Sequence, residues 1–176
     1  LATTYSKTDV WESIYDNNMD SSPFLDFQSR YTNLVLTSSF NKKYSSRHTN
    51  KTGFTWTNMH YDMDFDLAPL YTEPMQRISE GKGTTNLLSA YSSSLFTFND
   101  KLSATLGVNG QLLTLNNTWT IEPRASVKWQ ATSKSSFGLG YGLHSRMEKL
   151  DVYFVKTQAT GDKQVNKDLD FTKTHH

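Results

Sequence analysis

Apolar and polar residues alternate along most of the chain after residue 30, and this period-two pattern predicts β-strands. The longest regular stretch, KLSATLGVNGQL at 101–112, places Leu102, Leu106 and Val108 on one face of a strand. Polar residues occupy most of the opposite face. Alternation over about eleven residues predicts strands longer than the five or six residues usual in soluble sheets.

The next two segments along the chain alternate in the same way. WTIEPRASVKWQ at 119–130 sets three apolar residues against three charged ones: Trp119, Val127 and Trp129 against Glu122, Arg124 and Lys128. FGLGYGL at 137–143 sets Phe137 and Tyr141 against three glycines and the following His144. Each strand is therefore predicted to have one apolar and one polar face.

A further segment, MHYDMDFDL at 59–67, carries a histidine and three aspartates on one side. Upstream of it the alternation changes phase between Trp56 and Met59, for which we expect a β-bulge. The polar residues could offer ligands to a metal ion, but alternate residues of a strand lie about 6–7 Å apart, too far to converge on one ion. A solvated strand face is the favoured interpretation, and no metal site or cofactor is predicted.

Connections of alternating length predict an antiparallel up-and-down meander. Residues 99–101 and 132–135 are expected to be tight turns, 113–118 a connection of middle length, and 68–83 a long loop. The chain is predicted to be one all-β unit from 1 to 176. Residues 1–30 are poorly defined, with a weak helical periodicity around Thr8 to Asp16; residues 31–146 form about six strands, and 147–176 form a long loop.

Composition argues against a large soluble core. Only 36% of the residues are hydrophobic, and Ser and Thr together number 42 of 176. The 23 aromatic residues nevertheless argue against disorder. A net charge of +1 gives no field that would attract nucleic acid, and the absence of cysteine excludes thiolate chemistry. No catalytic set of residues is found, so the chain is not expected to be an enzyme.

The ends of the chain and its hydrophobic runs bear on where it could reside. The sequence begins at Leu1 rather than Met, and we expect an excised piece of a longer protein. No run approaches the ~18 apolar residues of a transmembrane helix, so none is predicted.

The spacing of two tryptophans favours a membrane β-barrel. Trp119 and Trp129 are separated by ten residues on one face, which corresponds to about 33 Å along a strand and about 24 Å along the membrane normal at a ~45° tilt. The apolar band of such barrels is about 25 Å tall and has aromatic residues at both edges. A soluble or periplasmic β-sheet domain that binds a ligand or a protein partner remains the alternative, and a small complete barrel is a third.

In a barrel, the apolar residues of each strand are predicted to face lipid and the polar residues to line the lumen. The lipid-facing set is Met59, Tyr61, Met63, Phe65, Leu67, Leu102, Leu106, Val108, Trp119, Val127, Trp129, Phe137 and Tyr141. The lumen-facing set is His60, Asp62, Asp64, Asp66, Glu122, Arg124, Lys128 and His144.

Several segments resemble the outer-membrane barrel of TonB-dependent receptors from Bacteroidetes-type bacteria. They are NKKYSSRHTNKTGFTW, YDMDFDLAP, LTLNNTWTIEPRASVKWQ, FGLGYGLHSRMEKLDVYF and LDFTKTHH. The resemblance runs from about residue 30 to the end, and EPRAS, YGLHS and LDFTKTHH are its most specific parts.

The resemblance implies that the chain is a slice of a 22-stranded nutrient transporter in the outer membrane of a Gram-negative cell. It implies three partners: the outer-membrane lipid, the plug domain of the same receptor, and the periplasmic protein TonB. A surface lipoprotein is a further candidate. The loops at 68–83 and 147–170 would be extracellular, the turns at 99–101 and 132–135 periplasmic, and LDFTKTHH would lead into a further strand. No nucleic acid, cofactor or catalytic residue is implied.

Overall fold

The computed structural model describes residues 2–15, 23–68, 74–156 and 163–176. Eight strands form a single sheet in which each strand pairs antiparallel with its neighbours in chain order. The strands are β1 (Ala2–Tyr15), β2 (Pro23–Ser45), β3 (His48–Leu67), β4 (Gln76–Asn99), β5 (Leu102–Leu113), β6 (Thr118–Gln130), β7 (Ser136–Arg146) and β8 (Thr172–His175). The predicted all-β, up-and-down meander is confirmed.

The connections divide the sheet into two ends. At the turn end, which comprises residues 42–51, 96–104 and 126–138, β2–β3, β4–β5 and β6–β7 are joined by short turns. Strands β2, β3 and β4 have 23, 20 and 24 residues, whereas β5, β6 and β7 have 12, 13 and 11. The three longer strands extend past the three shorter ones at the loop end. The loop end also holds the four-residue connection 114–117, where Asn117 adopts the left-handed conformation with φ 59°, which Asn tolerates better than most residues.

The weak helical periodicity around Thr8 to Asp16 does not correspond to a helix in the structure. Residues 8–15 belong to β1, with Thr8 opposite Tyr31 and Val10 opposite Ser29 on β2; Asp16 lies outside the described residues. The local helical signal is weak, and the long-range ladder with β2 determines the conformation instead.

The predicted loops at the loop end are shorter than expected. Strand β4 begins at Gln76, opposite Leu67, so the β3–β4 connection is 68–75, of which 69–73 lie outside the described residues. The predicted loop 147–176 contains the one-turn helix α1 (Leu150–Tyr153) and the strand β8, while 157–162 lie outside the described residues. Within the described part of the chain, no helix is long and apolar enough to cross a membrane.

The buried core lies at the loop end, where the α1 segment packs on the sheet. Tyr153 and Phe154 are 1% and 6% exposed, and they pack with Met59, Tyr61 and Met63 of β3. The ring of Phe154 lies 5.0 Å from that of Tyr61. Leu113, Leu150 and Phe171 complete this cluster.

Glycine at position 81 permits this packing. A Cβ at Gly81 would lie 2.7 Å from the ring of Phe154, and one at Gly83 would lie 2.9 Å from the Tyr61 hydroxyl. Both glycines therefore serve a close approach between side chains and the backbone of β4.

Candidate functional site: two sheet faces of opposite polarity

The register of the ladders decides which residues share a face across the sheet. Residues directly opposite each other in an antiparallel pair lie on the same face. Thr57 opposes Leu87, Leu87 opposes Leu113, and Leu113 opposes Thr118. By the alternation of each strand, Met59 on β3 is therefore on the same face as Glu122 on β6. We call this the Glu122 face and the other the Trp119 face.

The Trp119 face carries an unbroken apolar surface over β5, β6 and β7. Ten of its side chains are large apolar groups: Leu102, Leu106, Val108, Leu112, Trp119, Ile121, Val127, Trp129, Phe137 and Leu139. Most are exposed, Trp119 by 63% and Leu139 by 80%. A contiguous exposed apolar surface of this extent marks an interface with another apolar phase or partner. We call it the apolar band.

Aromatic residues mark both edges of the apolar band. At the loop-end edge, Trp56 and Trp119 lie in one row across the sheet, connected by the pairs Trp56–Leu88, Leu88–Leu112 and Leu112–Trp119. The indole nitrogen of Trp56 donates to Asn86 Oδ1 at 2.9 Å, so this ring has one apolar side and one polar contact.

At the turn-end edge, Trp129 stacks on Phe137 with ring centroids 5.9 Å apart. On β2, β3 and β4, Tyr44 stacks on His48 and His48 on Phe96, at 5.0 and 4.5 Å. The Trp and Tyr rings among them are amphipathic, and such rings are typical of the boundary between an apolar layer and water.

A small polar cluster interrupts the Trp119 face on β3 and β4. Asn50 Nδ2 donates to the hydroxyls of Ser92 and Ser94, both at 3.0 Å, and Thr52 donates to Asn50 Oδ1 at 2.8 Å. These groups satisfy one another within the sheet, which lowers the cost of placing them beside apolar surroundings.

The Glu122 face is polar over the same strands, and the Glu122 carboxylate is its best-connected group. The side chain of Glu122 is 1% exposed. It accepts hydrogen bonds from Asn109 Nδ2 at 3.1 Å and Gln111 Nε2 at 2.5 Å on β5, and from Arg124 Nη2 at 2.7 Å on β6. The backbone amide and the hydroxyl of Ser145 on β7 also donate to it, at 3.1 and 2.5 Å.

This network joins three strands through one buried charge. A buried carboxylate is tolerated only where donors and a cation satisfy it, and here all of them come from the same sheet face. The arrangement fixes the relative positions of β5, β6 and β7.

The remaining predicted lumen residues of β6 and β7 lie near this network. Arg124, Lys128 and His144 share the Glu122 face with three glycines of β7. At Gly142 a Cβ would lie 2.9 Å from His144 Nε2, so the glycine leaves space for that ring.

The four predicted lumen residues of β3 lie on the other face, and this is a correction. His60, Asp62, Asp64 and Asp66 are on the Trp119 face, together with Trp119 and Trp129, above the loop-end edge of the apolar band. The predicted lipid-facing residues Met59, Tyr61, Met63, Phe65 and Leu67 are correspondingly on the Glu122 face. Met63 is only 2% exposed, because the α1 segment covers it.

Each predicted set therefore divides between the two faces, and the assumption that all its members share a face is wrong. Leu102, Leu106, Val108, Trp119, Val127, Trp129, Phe137 and Tyr141 do share one face, and Glu122, Arg124, Lys128 and His144 share the other. Alternation defines two faces within a strand. The pairing register between neighbouring strands determines which face of one strand adjoins which face of the next, and alternation within a single strand does not fix that register.

The aspartates of β3 pair with cations of β4. Lys82 Nζ donates to Asp62 Oδ2 at 2.7 Å, and Arg77 donates to Asp66 at 2.5 Å and to Asp64 at 3.0 Å. The hydrogen bond from Lys82 holds the pKa of Asp62 below its ordinary value. His60 is hydrogen-bonded through Nδ1 to the Thr84 hydroxyl at 3.1 Å.

No metal site emerges from these side chains. Among the residues that the structure describes, no three His, Asp or Glu side chains are grouped so that they could hold an ion. The β3 aspartates form ion pairs with β4 instead.

Two groups of residues were missed by reasoning from the sequence. Tyr153 and Phe154 of the α1 segment lie in a stretch without strand periodicity, so nothing in the pattern indicates that they cover β3 and β4. Arg77 and Lys82 lie in the segment that was predicted to be a loop. Extending β4 to Gln76 in register with β3 would have placed Lys82 opposite Asp62, as the structure does.

No protein-family model, no curated protein and no solved structure matches the chain.

Proposed function

We propose that this chain is part of the wall of an outer-membrane β-barrel of the TonB-dependent receptor type, which takes up nutrients. The Trp119 face meets lipid along the apolar band, and the Glu122 face lines the interior. The chain contributes wall rather than catalytic machinery.

The apolar band carries this proposal. On β5, β6 and β7 the Trp119 face holds no charged side chain, while the Glu122 face of the same strands holds Glu122, Arg124 and Lys128. A Lys or Arg facing lipid at the bilayer centre costs about 2–4 kcal/mol. The observed separation of charges is the one a membrane strand requires, and the Trp119–Trp129 spacing suits an apolar layer about 25 Å tall.

The accessible surface of the chain supports the proposal. It amounts to 11856 Å², whereas a compact folded monomer of 20.1 kDa exposes about 8,700 Å². A single-layer sheet whose apolar side chains are not covered by the chain itself adds to this area, and the exposed Trp119, Trp129 and Leu139 are examples. Lipid on one side and protein or water on the other would cover both faces.

The edges of the sheet are also consistent with a wall segment. Strands β1 and β8 lie at opposite edges of the described sheet. An edge strand presents unpaired backbone groups, which cannot be left unsatisfied in a membrane. Pairing with further strands of a larger barrel would satisfy them.

The change of polarity along β3 fits the same picture. From Trp56 towards the turn end, the Trp119 face of β3 and β4 carries no Asp, Glu, Lys or Arg, and its polar groups there bond to one another. On the loop-end side of Trp56 the face carries the ion-paired residues Asp62, Lys82 and Arg77. We therefore assign the loop end to the aqueous extracellular side, where β2, β3 and β4 rise above the bilayer. At the loop end the charged Trp119 face is the outer face and meets water, while the α1 segment covers the Glu122 face on the inside.

Fractionation of cells that produce the full-length protein tests the proposal. We expect the protein in the outer-membrane fraction, with detergent needed to release it. Recovery in the soluble fraction without detergent would contradict the proposal and favour the alternative, a soluble or periplasmic sheet whose apolar band is covered by a partner.

A further inference from the structure

The turn end of the sheet is strongly basic although the chain as a whole is nearly neutral. It carries seven Lys or Arg residues and a single acid, Asp100, which gives it six net positive charges, against +1 for the whole chain. The basic residues are Lys42, Lys43, Arg47, Lys51, Lys101, Lys128 and Lys134. The rest of the chain is correspondingly negative. The charge is therefore polarised along the strands.

None of these seven side chains forms an ion pair with a residue that the structure describes. This contrasts with the loop end, where Arg30, Arg77, Lys82 and Lys156 all have carboxylate partners. Cations that gather without counter-charges present a positive field to whatever lies beside them.

Four of the seven cations are placed beside the turn-end edge of the apolar band. Arg47, Lys101 and Lys134 lie on the three successive turns, and Lys42 lies on the Trp119 face with its Nζ 4.8 Å from the ring centroid of Tyr44. We call these four residues the cationic rim. The other three, Lys43, Lys51 and Lys128, lie on the Glu122 face.

The rim and the aromatic edge meet around Trp129. The backbone amide of Gln130 donates to the Lys101 carbonyl at 2.7 Å, which holds the end of β6 against the β4–β5 turn. A groove of about 420 Å³ opens there, and it is lined by Asn99, Asp100, Lys101, Leu102 and Trp129. It combines the ammonium group of Lys101 with an apolar wall of Leu102 and Trp129, and Asp100 also lines it.

We propose that the cationic rim binds the phosphate groups of anionic phospholipids in the membrane leaflet at the turn end. The proposal rests on the membrane placement given above and adds the lipid headgroup class and its residues. An anionic headgroup at this level meets Lys101, Lys134, Arg47 and Lys42, while its acyl chains continue along the apolar band past Leu102 and Trp129. A cation near a lipid surface contributes about 1 kcal/mol to binding, or roughly fivefold in the partition coefficient.

Vesicle partitioning of the full chain tests the proposal. The chain is diluted from detergent into phosphatidylcholine vesicles, with or without phosphatidylglycerol, and the bound fraction is measured by flotation. We expect tighter partitioning with phosphatidylglycerol. The double variant Lys101→Gln/Lys134→Gln should lose roughly 25-fold of that partitioning and lose none on phosphatidylcholine alone.

A matched double variant distinguishes the rim from overall charge. Lys149→Gln/Lys167→Gln removes the same two charges from exposed positions at the loop end and is expected to retain the preference for phosphatidylglycerol. Equal losses in both double variants would overturn the cationic rim. Binding to phosphatidylcholine without any gain from phosphatidylglycerol would also overturn it while leaving the barrel proposal intact, whereas failure to bind either vesicle would contradict both.

Discussion

At the scale of single residues, the charges above the apolar band are held by partners on the neighbouring strand. Asp62 on β3 and Lys82 on β4 lie directly opposite each other and are joined at 2.7 Å. Both side chains reach solvent, by 32% and 71%, so the pair adds little to stability in salt. Its clearest consequence is electrostatic, since the lysine favours the ionised form of the aspartate.

Removing Lys82 should raise the pKa of Asp62 towards its ordinary value. In the native protein that pKa lies below its ordinary value because of the Lys82 hydrogen bond. Asp62 is therefore ionised and paired with Lys82 above the ordinary pKa of an aspartate, about 3.9. The stability that the pair contributes is lost as pH falls through the lower pKa that Asp62 has in the folded state. We expect Lys82→Gln to raise the Asp62 pKa and Lys82→Arg to leave it low, as measured by NMR titration of the carboxyl carbon. An unchanged pKa in Lys82→Gln would contradict the assigned pairing.

Gly81 is the residue on which docking of the α1 segment depends most directly. A Cβ at this position would come within 2.7 Å of the Phe154 ring, and forcing atoms into a packed site costs about 1–3 kcal/mol. We expect Gly81→Ala to weaken the protection of the amides of residues 150–156 against hydrogen exchange. Gly140→Ala is the control, because its nearest neighbour would be at an ordinary 3.7 Å. Equal protection in the two variants would show that Phe154 does not pack over Gly81.

At the scale of strands, the Glu122 network ties β5, β6 and β7 together. Its carboxylate accepts from four residues of these strands and is almost fully buried. No other acidic side chain in the described part of the chain is buried to this degree. Loss of the charge would leave several donors without a good acceptor.

Glu122→Gln should therefore destabilise the sheet markedly. We expect a loss of about 2 kcal/mol in the free energy of unfolding, because hydrogen bonds to charged groups contribute about 1.5–3 kcal/mol. Glu80→Gln, at an exposed carboxylate that pairs with Arg77 and Lys156, should cost less than about 1 kcal/mol. Urea unfolding in detergent, followed by tryptophan fluorescence, compares them. Similar losses in the two variants would contradict the central role of Glu122.

The strands also show how far alternation alone could predict the fold. It gave the faces of β5, β6 and β7, because apolar and polar residues there keep one phase throughout. On β3 the phase changes between Trp56 and Met59, and the expected bulge is absent: both ladders of β3 run without a break from Phe54 to Met63. The polarity of the surroundings changes instead, because the α1 segment covers the Glu122 face from Met59 upwards. A bulge and a change of surroundings produce the same sequence pattern, so only the pairing distinguishes them.

At the scale of the whole molecule, the sheet is divided twice, across its faces and along its strands. The Trp119 face is apolar on β5, β6 and β7 and charged at the loop end of β3 and β4. The Glu122 face is polar on β5, β6 and β7 and apolar under α1. A soluble sandwich would bury one whole face of such a sheet. Here the buried core is confined to the loop end, and the apolar band stays exposed on the chain itself.

Site-directed labelling of two adjacent residues of β6 tests the central claim most directly. These 176 residues contain no cysteine. Once any cysteine elsewhere in the full-length protein is replaced by serine, Val127→Cys on the Trp119 face and Ser126→Cys on the Glu122 face can each carry one environment-sensitive fluorophore. In bilayers of the full-length protein that contain nitroxide-labelled acyl chains, the probe at position 127 should be strongly quenched and the probe at position 126 should not. Equal quenching at both positions, or none at position 127, would contradict the assignment of the apolar band to lipid.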